Sequence, residues 1–327
     1  MSVFAPVLGA LTLATRRRGI TVLTFHRVLH DKDPLRPTEP DGVEFELQMR
    51  WLSAAFCVLP LQDAVRRLEE GAVPPRAACI TFDDGYADNL TVAAPILERF
   101  GLPATIFVVS DMLSQGSMWN DRVIEAVRVA RGRTLDLTSL ALGRHTLATN
   151  RDRLAAIAEL LRRCKNRMPA ERDALVSDIE SRTGGRVRRE MLTPVEVREL
   201  ARRGFEIGAH SCTHPILATV DAVRARAEIT DSKRILEEVI GAPVRAFAYP
   251  NGRPGHDYRP EHVTMVKDAG YSAAVSTLRG ASSSPDERFE MRRFAPWRCS
   301  RHAFYWNLAR NLVERPTVSP GAGQRFA

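Results

Sequence analysis

The chain has 327 residues, 44% of them hydrophobic and 26% charged, an ordinary globular composition with enough apolar side chains for one large core. Its formal net charge of +8 points to anionic surroundings such as a membrane face or an acidic glycan. The basic residues are scattered among acids, and no aromatic-interleaved basic motif occurs, which argues against a nucleic-acid partner.

The first 18 residues, MSVFAPVLGALTLATRRR, hold an apolar stretch too short to span a bilayer. The basic residues follow it, the reverse of an export signal. Two expectations stand for this segment. One is a first helix packed on the domain. The other is a peripheral membrane anchor with Arg16, Arg17 and Arg18 at anionic headgroups. Five widely spaced cysteines without a CxxC pair favour reduced thiols over a disulfide scaffold. The expected setting is therefore cytoplasmic, at the inner face of a membrane if the anchor operates.

Gly19 to Val28 is a β-branched, apolar run and reads as a first core strand ending at His26. Asp31 to Gly42, rich in Pro and Asp, reads as a loop. Phe45 to Phe56 has apolar residues at helical spacing, Cys57 opens a short strand, and LQDAVRRLEEG forms a helix closed by Gly71. The run from Ala78 to Phe82 is a buried strand stopped by Asp83, Asp84 and Gly85. A helix ending near Gly101 and an apolar strand from Ala104 to Val109 follow. This strand–helix alternation is that of a parallel α/β fold.

From about residue 119 to 185 the pattern becomes amphipathic, with Leu154, Ile157, Leu160, Leu161 and Cys164 three or four apart, and predicts a helical insertion. Alternation resumes at Thr193, a plausible N-cap before Pro194. Strands are expected at FEIGAHS, VRAFAYPNG and YSAAVST, with helices between them and a final helix near the C-terminus. Residues 1–18 are set apart as a peripheral segment, 19–315 as the main domain and 316–327 as a loose tail.

The polar residues recur at one place, the C-terminal ends of successive strands: His26, Asp83 with Asp84, His210 with His214, and Asn251. Active sites form at that end of parallel α/β folds. HSCTH spaces two imidazoles so that they can face one ion, which a nearby carboxylate would complete. Each motif alone has a bland alternative, two exposed loop histidines or a pair of capping acids. Their combination at matching strand ends is far more specific.

With these motifs the chain resembles the polysaccharide deacetylases, carbohydrate esterase family 4: TFDDG matches the family's first motif and HSCTH its second. The resemblance runs from about Val22 to Trp297. It implies a distorted (β/α)7 barrel carrying the helical insertion. It also implies that Asp83 is the catalytic base and that Asp84, His210 and His214 hold a divalent ion, usually zinc. The third motif departs from the common R-P-P-Y-G form: here Ala248, Tyr249, Pro250, Asn251 and Gly252 stand in its place. The base-orienting Arg is thus missing, and Arg293 resembles an Arg found near the fourth motif in some branches. Asn251 replaces the residue whose backbone N–H forms the oxyanion hole, a role any non-proline residue can fill. The late His that serves as general acid is also missing. Of two candidates, His302 and His26, the second is favoured, since TFHRV resembles the strand that supplies the acid in deacetylases of exopolysaccharide amino sugars.

Tyr86, Trp119 and Tyr249 are candidate substrate contacts. Tyr86 has the alternative of simple packing, and Trp119 that of anchoring the insertion's helices. The expected function is metal-dependent N-deacetylation of amino sugars in a polysaccharide or lipid-linked glycan precursor. Hydrolysis or deformylation of a small amide is an alternative, as is a glycan-binding protein with a degenerate site.

Overall fold

The computed structural model describes residues 19–165, 167–184, 189–296 and 300–313. The expected N-terminal helix or anchor and the tail at 316–327 lie outside them. In chain order the strands are β1 (Ile20–Phe25), β2 (Cys57–Val58), β3 (Ala77–Phe82), β4 (Thr105–Val108), β5 (Thr134–Leu137), β6 (Gly143–Thr146), β7 (Glu206–Ala209), β8 (Ala246–Ala248), β9 (Ala273–Val275) and β10 (Arg293–Phe294). The helices are α1 (Gly42–Ala55), α2 (Leu61–Glu69), α3 (Ala94–Arg99), α4 (Met112–Gln115), α5 (Trp119–Val129), α6 (Asn150–Lys165), α7 (Pro169–Thr183), α8 (Pro194–Arg202), α9 (Ala222–Ile240), α10 (Pro260–Asp268) and α11 (Arg301–Val313). No helix among the described residues is long and apolar enough to cross a membrane.

The chain packs as two units. Residues 19–31, 38–114 and 192–313 form the larger. Its strands run parallel in the order β10-β1-β3-β4-β7-β8-β9, with β2 beside β3. The two ends of this order meet where Met291 pairs with Val275 of β9, through backbone hydrogen bonds of 2.8 Å (Ser276 N to Met291 O) and 2.9 Å (Met291 N to Ala274 O). The result is a nearly closed barrel of seven strands, as a (β/α)7 fold requires.

Strand parity divides the core. Ile20, Val22, Cys79, Phe107, Ala246, Ala248, Val275 and Met291 form one apolar cluster with the buried side of α2. Leu23, Phe25, Ile80, Phe82, Ile106 and Val108 join a second with α1, α3, α8, α9 and α11. The first cluster leaves little room. A Cβ at Gly208 would lie 2.4 Å from the Phe107 ring, so only glycine fits opposite that side chain.

Local chemistry sets the helix ends. Thr193 caps α8: its hydroxyl accepts from the Glu196 N–H, and its own N–H donates to the Glu196 carboxylate at 2.7 Å, a reciprocal capping box ahead of Pro194.

The smaller unit comprises Lys32–Pro37 and 115–191. Beside the expected helices, here α5, α6 and α7, it holds an antiparallel hairpin of β5 and β6 that the helical pattern did not predict. Thr134 to Leu137 alternates exposed and buried residues, a period of two that marks a strand. The loop segment 32–37 also belongs here. The buried Arg36 pairs with Asp121 (2.9 Å), Glu125 (2.9 Å) and Glu190 (3.1 Å).

Candidate metal centre and active site

The parity that builds the inner cluster also delivers the polar residues. Ile20, Val22 and Thr24 lead to His26; Ala77, Cys79 and Thr81 lead to Asp83; Gly208 leads to His210; Met291 leads to Arg293. Each polar residue is two positions beyond an inward neighbour; His26, Asp83 and His210 stand just past a strand end, where ladder pairing gives way to loops, whereas Arg293 opens β10 in register with Val22 of β1.

Asp84 breaks the alternation. In an extended strand its side chain would point away from that of Asp83. Its φ of +72° turns the chain instead, and Gly85 follows at φ +83°. Neighbouring carboxylates can thus serve different partners. Asp83 is gripped by Arg293, with Nη1 2.7 Å from Oδ1 and Nη2 2.8 Å from Oδ2. Asp84 faces the histidines, its Oδ1 lying 3.5 Å from His210 Nε2 and 3.6 Å from His214 Nε2.

One atom of each of Asp84, His210 and His214 can ligate an ion, and all three lie within 4.8 Å of one another. Two donors each about 2.1 Å from a shared tetrahedral ion stand roughly 3.4 Å apart. The observed spacings therefore suit chelation better than hydrogen bonding. His210 Nδ1 is 2.8 Å from the Ala248 carbonyl. A carbonyl only accepts, so Nδ1 carries the proton and the Nε2 lone pair is turned toward Asp84. A mixed imidazole and carboxylate set of three fits zinc and leaves coordination positions open.

Arg293 is fully buried, and its Nε donates to the Ser276 carbonyl at 2.9 Å. It thus supplies Asp83 with a guanidinium, which the third motif, with Ala248, does not. Burial pushes the Asp83 carboxyl up. The Arg293 guanidinium outweighs that and, with His210 and His26, holds it well below the usual carboxylate range.

His26 is half-buried, and its ring has no hydrogen bond among the described residues. Burial disfavours its charged form, but the carboxylates of Asp84, Asp83 and Glu39 prevail, and its pKa is raised. Glu39 carries no signal in the sequence because it stands in a loop with no periodicity to mark it.

Asn251 has φ +58°, its carbonyl accepts from the Thr277 hydroxyl at 2.8 Å, and its N–H has no partner among the described residues. Gly252 follows at φ +67°, where a Cβ would lie 3.0 Å from the Thr277 nitrogen.

The expected substrate contacts fare differently. Tyr249 is a core residue: it is 0% exposed, stacks on Tyr258 at 3.9 Å and donates its hydroxyl to the Phe289 carbonyl at 3.1 Å. Just past β8 and on the side of Phe247, in the cluster that packs against the helices, it has no surface left for a sugar. Tyr86 is 2% exposed and lies under the Arg27 guanidinium at 4.6 Å, so it packs. Trp119 belongs to the smaller unit, where it packs against that unit's core and under Arg172 at 4.9 Å. This is the anchoring role.

The family model for polysaccharide deacetylase matches residues 70–274. A curated relative, "Putative polysaccharide deacetylase YxkH" of Bacillus subtilis (strain 168), is 21% identical over 252 residues, covering 76% of this chain and 63% of its own. The poly-beta-1,6-N-acetyl-D-glucosamine N-deacetylase of Staphylococcus epidermidis is 27% identical over 122 residues, covering 33% of this chain and 42% of that protein. The chain thus spans less than two thirds of either relative. Among solved structures, the Streptococcus pyogenes deacetylase PplD in complex with acetate superposes with a TM-score of 0.62 at 18% identity, covering 89% of this chain and 99% of that one. IcaB from Ammonifex degensii gives 0.56 at 17% identity, covering 89% and 96%. At those identities the structures establish a shared fold.

Proposed function

Since this chain belongs to the polysaccharide deacetylase family, we propose that it is a metal-dependent hydrolase removing N-acetyl groups from amino-sugar residues of a polysaccharide or lipid-linked glycan precursor. The observation that carries this reading is the Asp84, His210 and His214 triad standing beside the Asp83–Arg293 ion pair at the C-terminal ends of the strands. The Staphylococcus relative, named for an N-acetylglucosamine polymer, supports the substrate class. The net charge of +8 would suit a lipid-linked precursor at an anionic membrane face.

Asp84, His210 and His214 would hold the divalent ion, with zinc the best fit to their donor atoms. When bound, such an ion supplies Lewis-acid polarisation of the acyl group and makes water acidic enough to lose a proton near neutral pH. Asp83 is the base. Arg293 fixes both its oxygens in place yet leaves each a lone pair for the proton of the attacking water. Its depressed pKa keeps it ionised throughout the neutral range. The Asn251 N–H donates to the developing oxyanion. His26, close enough to Asp83 and Asp84 to feel both charges, gives a proton to the departing amine, which leaves poorly without one. The tight Arg293–Asp83 pair speaks against a degenerate binding site.

The test is acetate release from N-acetylglucosamine oligomers by zinc-loaded protein, with formate release from N-formyl sugars measured in parallel. Asp83→Asn should lower turnover by about 10²–10⁴-fold while retaining bound metal. Release of formate alone would favour the deformylase alternative, and full turnover in the Asn variant would remove Asp83 from the base role.

A further inference from the structure

The loop that carries both histidines has an unusual backbone. Ser211 (φ +61°) and His214 (φ +56°) are both left-handed without being glycine, a conformation that persists only where its surroundings impose it. Between them, two successive N–H groups turn toward one side chain on α9. Glu228 Oε2 accepts from Cys212 N at 2.9 Å and from Thr213 N at 2.8 Å, and its Oε1 accepts from the Thr213 hydroxyl at 2.7 Å. Arg224, one helical turn earlier, donates to the same Oε1 at 2.7 Å. Glu228 is 1% exposed. It shares the buried face of α9 with Ala225, Ile229, Ser232 and Leu236, where a carboxylate is out of place unless fully paired.

These four contacts commit both carboxylate oxygens, so Glu228 is not itself a ligand of the Asp84 centre. They fix instead two of the four peptide planes between His210 and His214, those that carry the Cys212 and Thr213 N–H groups. With the amides turned to α9, the imidazoles are left facing Asp84. Without Glu228, two amides lose their acceptor, and the turn keeps the His214 N–H to Ser211 Oγ bond and the Ser110 and Asp111 N–H bonds to the Ser211 and Cys212 carbonyls.

We propose that Glu228 is a positioning residue that preorganises the His210–His214 chelate and thereby sets the metal affinity. This rests on reading Asp84, His210 and His214 as the metal ligands. Loss of such an outer-shell partner weakens binding by about 10–100-fold.

The experiment uses the full chain, stripped of metal. Zn²⁺ affinity is measured by calorimetry and the ligand field by the visible absorption of added Co²⁺. Glu228→Ala should weaken Zn²⁺ binding by at least about tenfold and alter the Co²⁺ spectrum. Glu228→Gln keeps an oxygen able to accept from both amides and should stay within about threefold of the wild type. If the Ala variant does not fold, Glu228→Asp, which draws the carboxylate back by one methylene, should show the weakening instead. Wild-type affinity and an unchanged Co²⁺ spectrum in the folded Ala variant, or in the Asp variant if that is the one that folds, would overturn the inference while leaving the metal centre intact. If the wild type binds no cation, or Asp84→Ala binds it equally well, the ligand assignment fails and the inference falls with it.

Discussion

Replacing Arg293 by Met tests the catalytic arrangement most directly. The substitution keeps an unbranched side chain of moderate size and removes the only cation hydrogen-bonded to Asp83 among the described residues. With charge centres roughly 4 Å apart and an effective dielectric constant near 20, the attraction lost is about 4 kcal/mol. That equals about three pKa units on Asp83. Mutational experience agrees: leaving one partner of a buried pair uncompensated costs about 3–5 kcal/mol, or roughly 4–7 °C in Tm for a chain of this size.

The sign follows from the direction of the shift. A carboxyl depressed in the folded state adds stability above its unfolded pKa, near about 4, and loses it as pH falls through the folded value. Arg293→Met removes that contribution at neutral pH. It should also move the acid limb of kcat/KM upward by about three units, into or past the ordinary carboxylate range. The assay is acetate release against pH from 4 to 9, with thermal melting of the same samples. An Arg293→Met variant with the wild-type acid limb and an unchanged Tm would refute Arg293 as the group that keeps Asp83 ionised.

Two further outcomes separate backbone from side-chain roles. Asn251→Gly keeps the N–H and suits the left-handed φ, so turnover should stay within about threefold of the wild type, the range open to a retained backbone donor; a loss of two orders of magnitude would assign the work to the amide side chain. Tyr249→Phe should leave KM for the oligomers unchanged while lowering stability by about 1 kcal/mol, the worth of one buried hydrogen bond. A several-fold rise in KM without destabilisation would return Tyr249 to the substrate.

The order of elements was legible because apolar periodicity and caps are short-range properties. The β-branched run before His26, the abrupt stop at Asp83 and the Thr193–Pro194–Glu196 start each act over a few residues. The candidate metal triad was legible for a related reason: the acids of TFDDG and the first His of HSCTH each stand directly after a strand of fixed direction. The hairpin β5–β6 was missed because its two four-residue strands carry too few periods to compete with the amphipathic helices around them. Glu228 did leave a signal, an acid on the apolar stripe of α9 three residues from Ala225 and four from Ser232. Only its partners show what it does.

What the sequence determined by itself is therefore local: where strands end, which face each side chain takes, and which polar groups stand at the barrel rim. Tertiary structure decided which of them meet. Arg293 reaches Asp83 because β10 closes the barrel against β1 and β9, 210 residues along the chain from the acid. Tyr249 became core because its strand faces Tyr258 and Phe289. Such pairings depend on closure and register between distant segments, and no window of neighbouring residues carries that information.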